Sequence, residues 1–336
     1  MAITNDLLSS TLYSIRDGEV DELFKKVPFL DDAKKNGGIE YEDGGIKIQR
    51  PLSVAEHSTI SLMATGYEPV SLAVADVLKP AIYDWCDFVA PIVISKKEEL
   101  ENSGEKAVVK IVEARMRSVM SLLRRELNKQ IIAGNSATLT TMNTLNGSVA
   151  GANKFLEPRV PGATQTSVVG GLNKATLNVP GFFNQFQASG AFGANGLGAM
   201  HNIYTASNVI TPMGEINSII ASTAAFSNYK RSLFVNERYI DEKTLDGGRM
   251  ALAYAGAVVS ADSDMPLNGG GVNVYSMYFL NFDGIKMVIH KDGDFAVSPF
   301  EYISGTTARA ATVYFKGQLI ADHLGSCGVL TDGNVF

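Results

Sequence analysis

The sequence predicts an α+β fold organised around one long helix, and three features carry that prediction. Residues 102–134, NSGEKAVVKIVEARMRSVMSLLRRELNKQIIAG, hold an uninterrupted helical pattern. A neutral, glycine-rich stretch follows it. Beyond residue 230 the strand patterns are mainly antiparallel and do not alternate with helices in a βαβ series.

The helix is the best-marked element. Val108, Val112, Met116, Val119, Leu123, Leu127 and Ile131 recur in steps of three and four, which places them on one face, and the opposite face is charged. Asn102 with Glu105 three positions on forms a capping-box pattern, and Gly134 suits the residue just past the C-terminus. At 1.5 Å per residue the helix is roughly 45 to 50 Å long.

A chain of 336 residues with 46% hydrophobic residues buries a substantial core, enough for about two domains. The opening MAITNDLLSS has no basic or apolar leader pattern, and the apolar runs at 88–94 and 250–259 are too short to span a bilayer. The expectation is a soluble, intracellular protein. Cys86 and Cys327 fit neither a metal spacing nor a disulfide framework and read as buried hydrophobes. Charge is uneven: residues 1–101 carry 18 acidic and 10 basic side chains, residues 102–134 carry 3 and 7, and the rest 14 and 12. The basic helix face is open to three readings: a solvated face, a face meeting acidic loops of its own chain or of a neighbouring copy, or a phosphate contact. A net charge of −6 places the last of these third.

Taken in order, residues 1–39 begin with a short helical pattern around 6–15. The charged stretch DGEVDELFKKVPFLDDAKKNGG follows, with too few apolar residues to fold alone, and reads as an arm ordered by lying on something else. Residues 44–66 read as a long hairpin with a polar tip at 53–58; Ile46, Ile48, Ile60 and Leu62 carry period-two spacing. A hairpin with so little apolar surface needs a neighbouring subunit, or its own domain, to pack against. Residues 67–101 hold a short helix and a buried strand at 88–94, with Trp85 as a core anchor. Between Thr141 and Tyr229 only Lys154, Glu157, Arg159, Lys174 and Glu215 are charged; the stretch reads as loops packed against protein, too glycine-rich for long regular elements. Thr211 and Pro212 mark a helix running to about residue 225. A strand at 232–235, a helix at 237–245, strands at 257–260 and 272–281, a hairpin or bulged pair at 283–303 and a last strand with a terminal crossover at 309–330 complete the reading.

Patterns of catalytic chemistry are missing. His57, His201, His290 and His323 are dispersed, with no second ligand at metal spacing. GAFGANGLG at 190–198 lacks the order and context of a phosphate loop. Asp262 with Asp264, and Asp292 with Asp294, sit in turn contexts. No catalytic, cofactor or metal residue is assigned.

The order of arm, hairpin, strand, long helix and glycine-rich α+β domain resembles the major capsid proteins of tailed double-stranded DNA bacteriophages, the Hong Kong 97-type fold. VAPIVISKKEELENSGEKAVVKIVEARM looks like the strand leading into the spine helix of that family; SLFVNERYIDEKTLDG looks like the strand and helix of its axial domain, and AVVSADSDMP with FDGIKMVIHKDGDF like the later strands of that domain. The resemblance implies an N-arm at 1–40, an extended loop at 41–70, a peripheral domain at 71–135 with the spine helix at 102–134, an axial domain at 136–282, return strands at 283–316 and a C-terminal axial segment at 317–336. No long charged helical extension precedes the arm, so the resemblance implies a separate scaffolding protein or prior processing. It implies a non-enzymatic shell subunit in the virion, assembled in the host cytoplasm from copies of itself. Scaffolding, portal and decoration proteins would be its partners, with packaged DNA nearby and no sequence-specific binding. Encapsulin-type compartments share the fold, and a soluble α+β enzyme is the rival of a different class. Candidate inter-subunit contacts are Ile46, Ile48, Arg50, Ile60 and Leu62 in the loop, and Arg117, Arg124 and Arg125 on the helix.

Overall fold

The computed structural model describes residues 5–53, 66, 77–101, 105–147, 153–210, 215–234, 242–244, 250–266 and 274–336. The elements run α1 (Asn5–Lys26), α2 (Pro28–Lys35), β1 (Ile39–Glu42), β2 (Lys47–Ser53), β3 (Leu78–Asp84), β4 (Cys86–Ser95), α3 (Lys96–Glu101) and α4 (Glu105–Ala133). After short ladders between 144 and 173 come β5 (Gln185–Ala188), α5 (Phe192–Ile210), β6 (Ser218–Ser222), α6 (Thr223–Phe234), β7 (Glu242–Thr244), β8 (Met250–Tyr254) and β9 (Ala257–Asp262). The chain ends with β10 (Tyr275–Leu280), β11 (Ile285–His290), β12 (Ala296–Val297), β13 (Glu301–Tyr302), β14 (Ala308–Ala321) and β15 (Gly328–Thr331).

Two large sheets hold most of the strands, and β2 with β3 forms a separate two-stranded ladder. In the first, β14 pairs antiparallel with β4 from Ala308↔Ser95 to Gly317↔Cys86, and with β11 from Gly317↔Ile289 to Ala321↔Ile285. The strand β1 adds in parallel to β11. Alternate residues of β14, from Arg309 through Ala311, Val313 and Phe315, are buried, as period-two patterning demands. The second sheet has the order β7-β8-β9-β6-β10-β15-β5. The return of β15 beside β10 ties the end of the chain into it.

Helix α4 crosses between these bodies over ~43 Å at 1.5 Å per residue. Val112, Met116, Leu123, Leu127 and Ile131 of the expected face are buried, joined by Met120 and Ile132, while Val119 is half-buried. At its C-terminal end Gly134 has φ of +67°, the left-handed turn that glycine takes without strain, and its N–H reaches Gln130 O at 3.1 Å. Asn102 lies outside the described residues. A capping box is present seven residues earlier: Ser95 Oγ accepts from Glu98 N at 3.3 Å, and Glu98 Oε2 accepts from Ser95 N at 3.1 Å.

Several expectations need correction. The charged stretch after residue 16 is helical, and it finds its partner within the chain. Leu8 and Leu12 of α1 are buried, and Val27, Phe29, Leu30 and Ala33 at α2 enter the core, with Phe29 edge-on to Phe282 at 5.5 Å. Ser9 Oγ accepts from Phe300 N, Tyr13 OH donates to Val297 O, and Arg16 Nη2 donates to Asp294 O, so one helix side is stitched to one return segment. The glycine-rich stretch holds the 19-residue α5, because its Phe192, Met200 and Ile203 are buried against the second sheet. The helix expected to reach residue 225 is instead strand β6 at 218–222, fully buried along its length. Residues 232–234 belong to α6 and 242–244 to a strand, reversing the expected types there. The strand at 88–94 is half-buried: Ile92 and Ile94 face inward while Val89 and Val93 are 55% and 39% exposed.

Candidate assembly surfaces

The loop stem is built from β2 and β3, paired antiparallel from Lys47↔Asp84 to Ser53↔Leu78. The strand β3 was not read from the sequence; its LKPAIYD has a proline and a short alternation that gave only a weak signal. Ile48, Leu52, Ala81 and Tyr83 are buried, so Ile48, expected as a contact, is a core residue of its own chain. Ile46 is 93% exposed and Leu78 60% exposed at the two ends of the stem. Ile60 and Leu62 lie outside the described residues.

Arg50 sits in a clamp of five charges. Its guanidinium bonds Glu40, approaches Glu42 at 3.4 Å and lies 3.9 Å from Asp322, while Lys286 Nζ contacts Glu40 at 2.6 Å and Asp322 at 3.8 Å. Burial acts to raise the Glu40 carboxyl, but hydrogen bonds from Lys286 and Arg50 outweigh it and hold it below its ordinary value. At Asp322 burial wins over the same two cations, and the carboxyl is raised. Trp85 Nε1 donates to Gly45 O at 2.9 Å, and Tyr83 OH donates to Ala321 O at 2.8 Å. The charge cluster and the Tyr83 bond thereby fix the ladder to the first sheet, while the Trp85 bond closes the base of the ladder. Such a cluster holds geometry.

The helix arginines differ. Arg117 meets Glu113 at 2.6 Å and Glu19 at 3.2 Å, so this part of the basic face meets its own chain. Arg124 and Arg125 line a cavity against Val27, Pro28, Asn128 and residues 261–264. The described part of α5 turns Gly193, Ala194, Asn195, Leu197, Gly198, His201, Asn202 and Thr205 outward, a face without charge.

Beneath the second sheet Lys174 is fully buried, a site that a lone lysine in a neutral stretch did not announce. Its Nζ donates to Phe155 O at 2.6 Å and Asn184 Oδ1 at 3.2 Å and lies 3.8 Å from Glu157 Oε1. Burial pulls its pKa down to about 7 against the opposing attraction of Glu157. Among the described residues no cluster of three or more His, Cys, Asp or Glu side chains is poised for a metal ion. No described helix is long and apolar enough to cross a membrane.

No family model matches the chain, and no curated protein matches it in sequence. Solved structures do match in shape. The capsid asymmetric unit of cyanophage A-1(L) superposes with a TM-score of 0.60 at 17% identity, over 92% of this chain and 93% of that one. The chain has the Hong Kong 97-type capsid fold. The capsid of an empty GTA particle matches with a TM-score of 0.51 at 12% identity, over 89% of each chain. A structure of Mycobacterium phage Bobi matches with a TM-score of 0.51 at 11% identity, over 88% of each.

Proposed function

We propose that the chain is a major capsid protein that assembles with copies of itself into an icosahedral shell around a double-stranded DNA genome. The observation that carries this reading is the match of nearly the whole chain to nearly the whole of a phage capsid subunit. In it, residues 1–40 serve as the arm, 41–70 as the extended loop, 71–135 and 283–316 as the peripheral domain, and 136–282 with 317–336 as the axial domain. The role is structural, without catalysis. Scaffolding and portal proteins are the further partners, and the virion is the final location.

The physics suits reversible assembly. Contacts of millimolar strength are worth roughly −4 kcal/mol each, so several per subunit close a shell while each one can still be corrected. The test is size-exclusion chromatography with negative-stain electron microscopy of the chain expressed with its scaffolding partner. Closed shells, or rings of five and six, are expected; a homogeneous monomer or dimer would overturn the reading. Shells that enclose a protein cargo and no DNA would move the chain to the encapsulin class.

A further inference from the structure

The arginine-lined cavity, about 240 Å³, lies where α2, α4 and the turn after β9 meet. Its walls carry Arg124, Arg125 and Asn128 from α4 facing Asp262 and Asp264. The two signs do not pair directly. Instead Asn128 Nδ2 holds the carboxylates, at 3.0 and 3.1 Å from the oxygens of Asp262 and 2.7 Å from Asp264 Oδ2. Neither arginine reaches them. No ion pair or hydrogen bond among the described residues engages Arg124, and Arg125 has only Glu126 at 3.7 Å. The same amide leaves Asn128 Oδ1 without a donor, on a side chain only 8% exposed. A half-buried guanidinium and an orphaned acceptor in one cavity leave two needs open: an anion for Arg124 and an N–H for Asn128.

We propose that this pocket seats an acidic side chain of a second copy of the chain, with the carboxylate on Arg124 and Arg125 and a neighbouring N–H on Asn128 Oδ1. The proposal rests on the shell reading and names one contact within it. Charge favours this occupant: each copy brings 35 acidic against 29 basic side chains. A continuous phosphate backbone fits worse, because Asp262 and Asp264 on the facing wall repel a run of phosphates more than they repel a single carboxylate held by two arginines.

The experiment compares wild type, R124A/R125A and R124K/R125K, each expressed with the scaffolding partner. Thermal melting reads the fold, and sedimentation with electron microscopy reads assembly. Neither arginine supports the core, so R124A/R125A is expected to melt as wild type does while needing about tenfold more protein to form shells. The lysine pair is expected to recover part of that loss. Wild-type assembly by R124A/R125A would overturn the proposal and leave the shell reading standing. Normal empty shells with a defect confined to DNA filling would assign the arginines to phosphate and also overturn it. Failure of the wild type itself to form shells would sink both.

Discussion

Lys174 shows how a single buried charge is stabilised and what it costs. Its ammonium has backbone and amide acceptors, with Glu157 near enough to attract it, yet the surroundings favour the neutral amine. The folded pKa is about 7 against an ordinary 10.5, so in the window between them the unfolded chain binds the extra proton. Stability therefore rises with pH across that window and falls as pH drops toward 7. Denaturation midpoints should rise from pH 7 to about pH 8, below the range where the buried Cys327 thiol and the buried tyrosines, all raised by burial, begin to act in the opposite sense, and Lys174→Met should remove most of that rise; an unchanged slope would show that another group sets it. None of this was legible in sequence, where Lys174 is one of five charges in a long neutral stretch. Arg50 was legible as a charged loop residue but not as a clamp, because its partners Glu40 and Asp322 come together only through β1 and the end of β14. Ile48 illustrates the same limit: period-two spacing gives strand faces, and only the pairing decides which face turns to the core.

Elements were legible where one periodicity dominated. Helix α4 followed its apolar stripe and ended at Gly134 as expected, and β14 alternates from Ala308 to Gly317 before its last residues are buried on both faces. Helix α5 escaped because glycine lowers helix propensity by about 1 kcal/mol per residue, and here burial of Phe192, Met200 and Ile203 overrides it. The strand β6, SIIAS, escaped because a short apolar run buried on all sides has no period to read. The two faces of α4 should also respond differently to truncation. Leu127 is fully buried, so Leu127→Ala should lower the unfolding free energy by about 2–5 kcal/mol. Arg117 has a 63% exposed side chain, and Arg117→Ala should cost less than about 1 kcal/mol despite losing two ion pairs. Chemical denaturation of both variants checks the contrast, and a comparable loss from the two would mean that the charged face carries structural weight the geometry does not show.

At the scale of the molecule, the proposed shell contacts can be tested apart from the core at the β2–β3 ladder. Removing 45–65 would excise β2 with its buried Ile48 and Leu52 and the Arg50 clamp, so the fold would fail for reasons unrelated to assembly. The ladder suggests a cleaner cut. Ser53 and Leu78 are paired directly at its open end, so residues 54–77 can be replaced by a two-residue Asn-Gly turn that closes a hairpin without shifting register. The clamp, Trp85 and Tyr83 stay in place beneath it. The shortened chain should therefore melt within a few degrees of wild type and remain soluble. If the loop supplies contacts between subunits, it should form no closed shells, or only at much higher concentration, because each subunit has lost contacts that its own core never used. Normal shells from this variant would show that residues 54–77 are dispensable for closure. Shells restored by adding the full-length chain in mixed particles would place the missing contact between neighbouring copies.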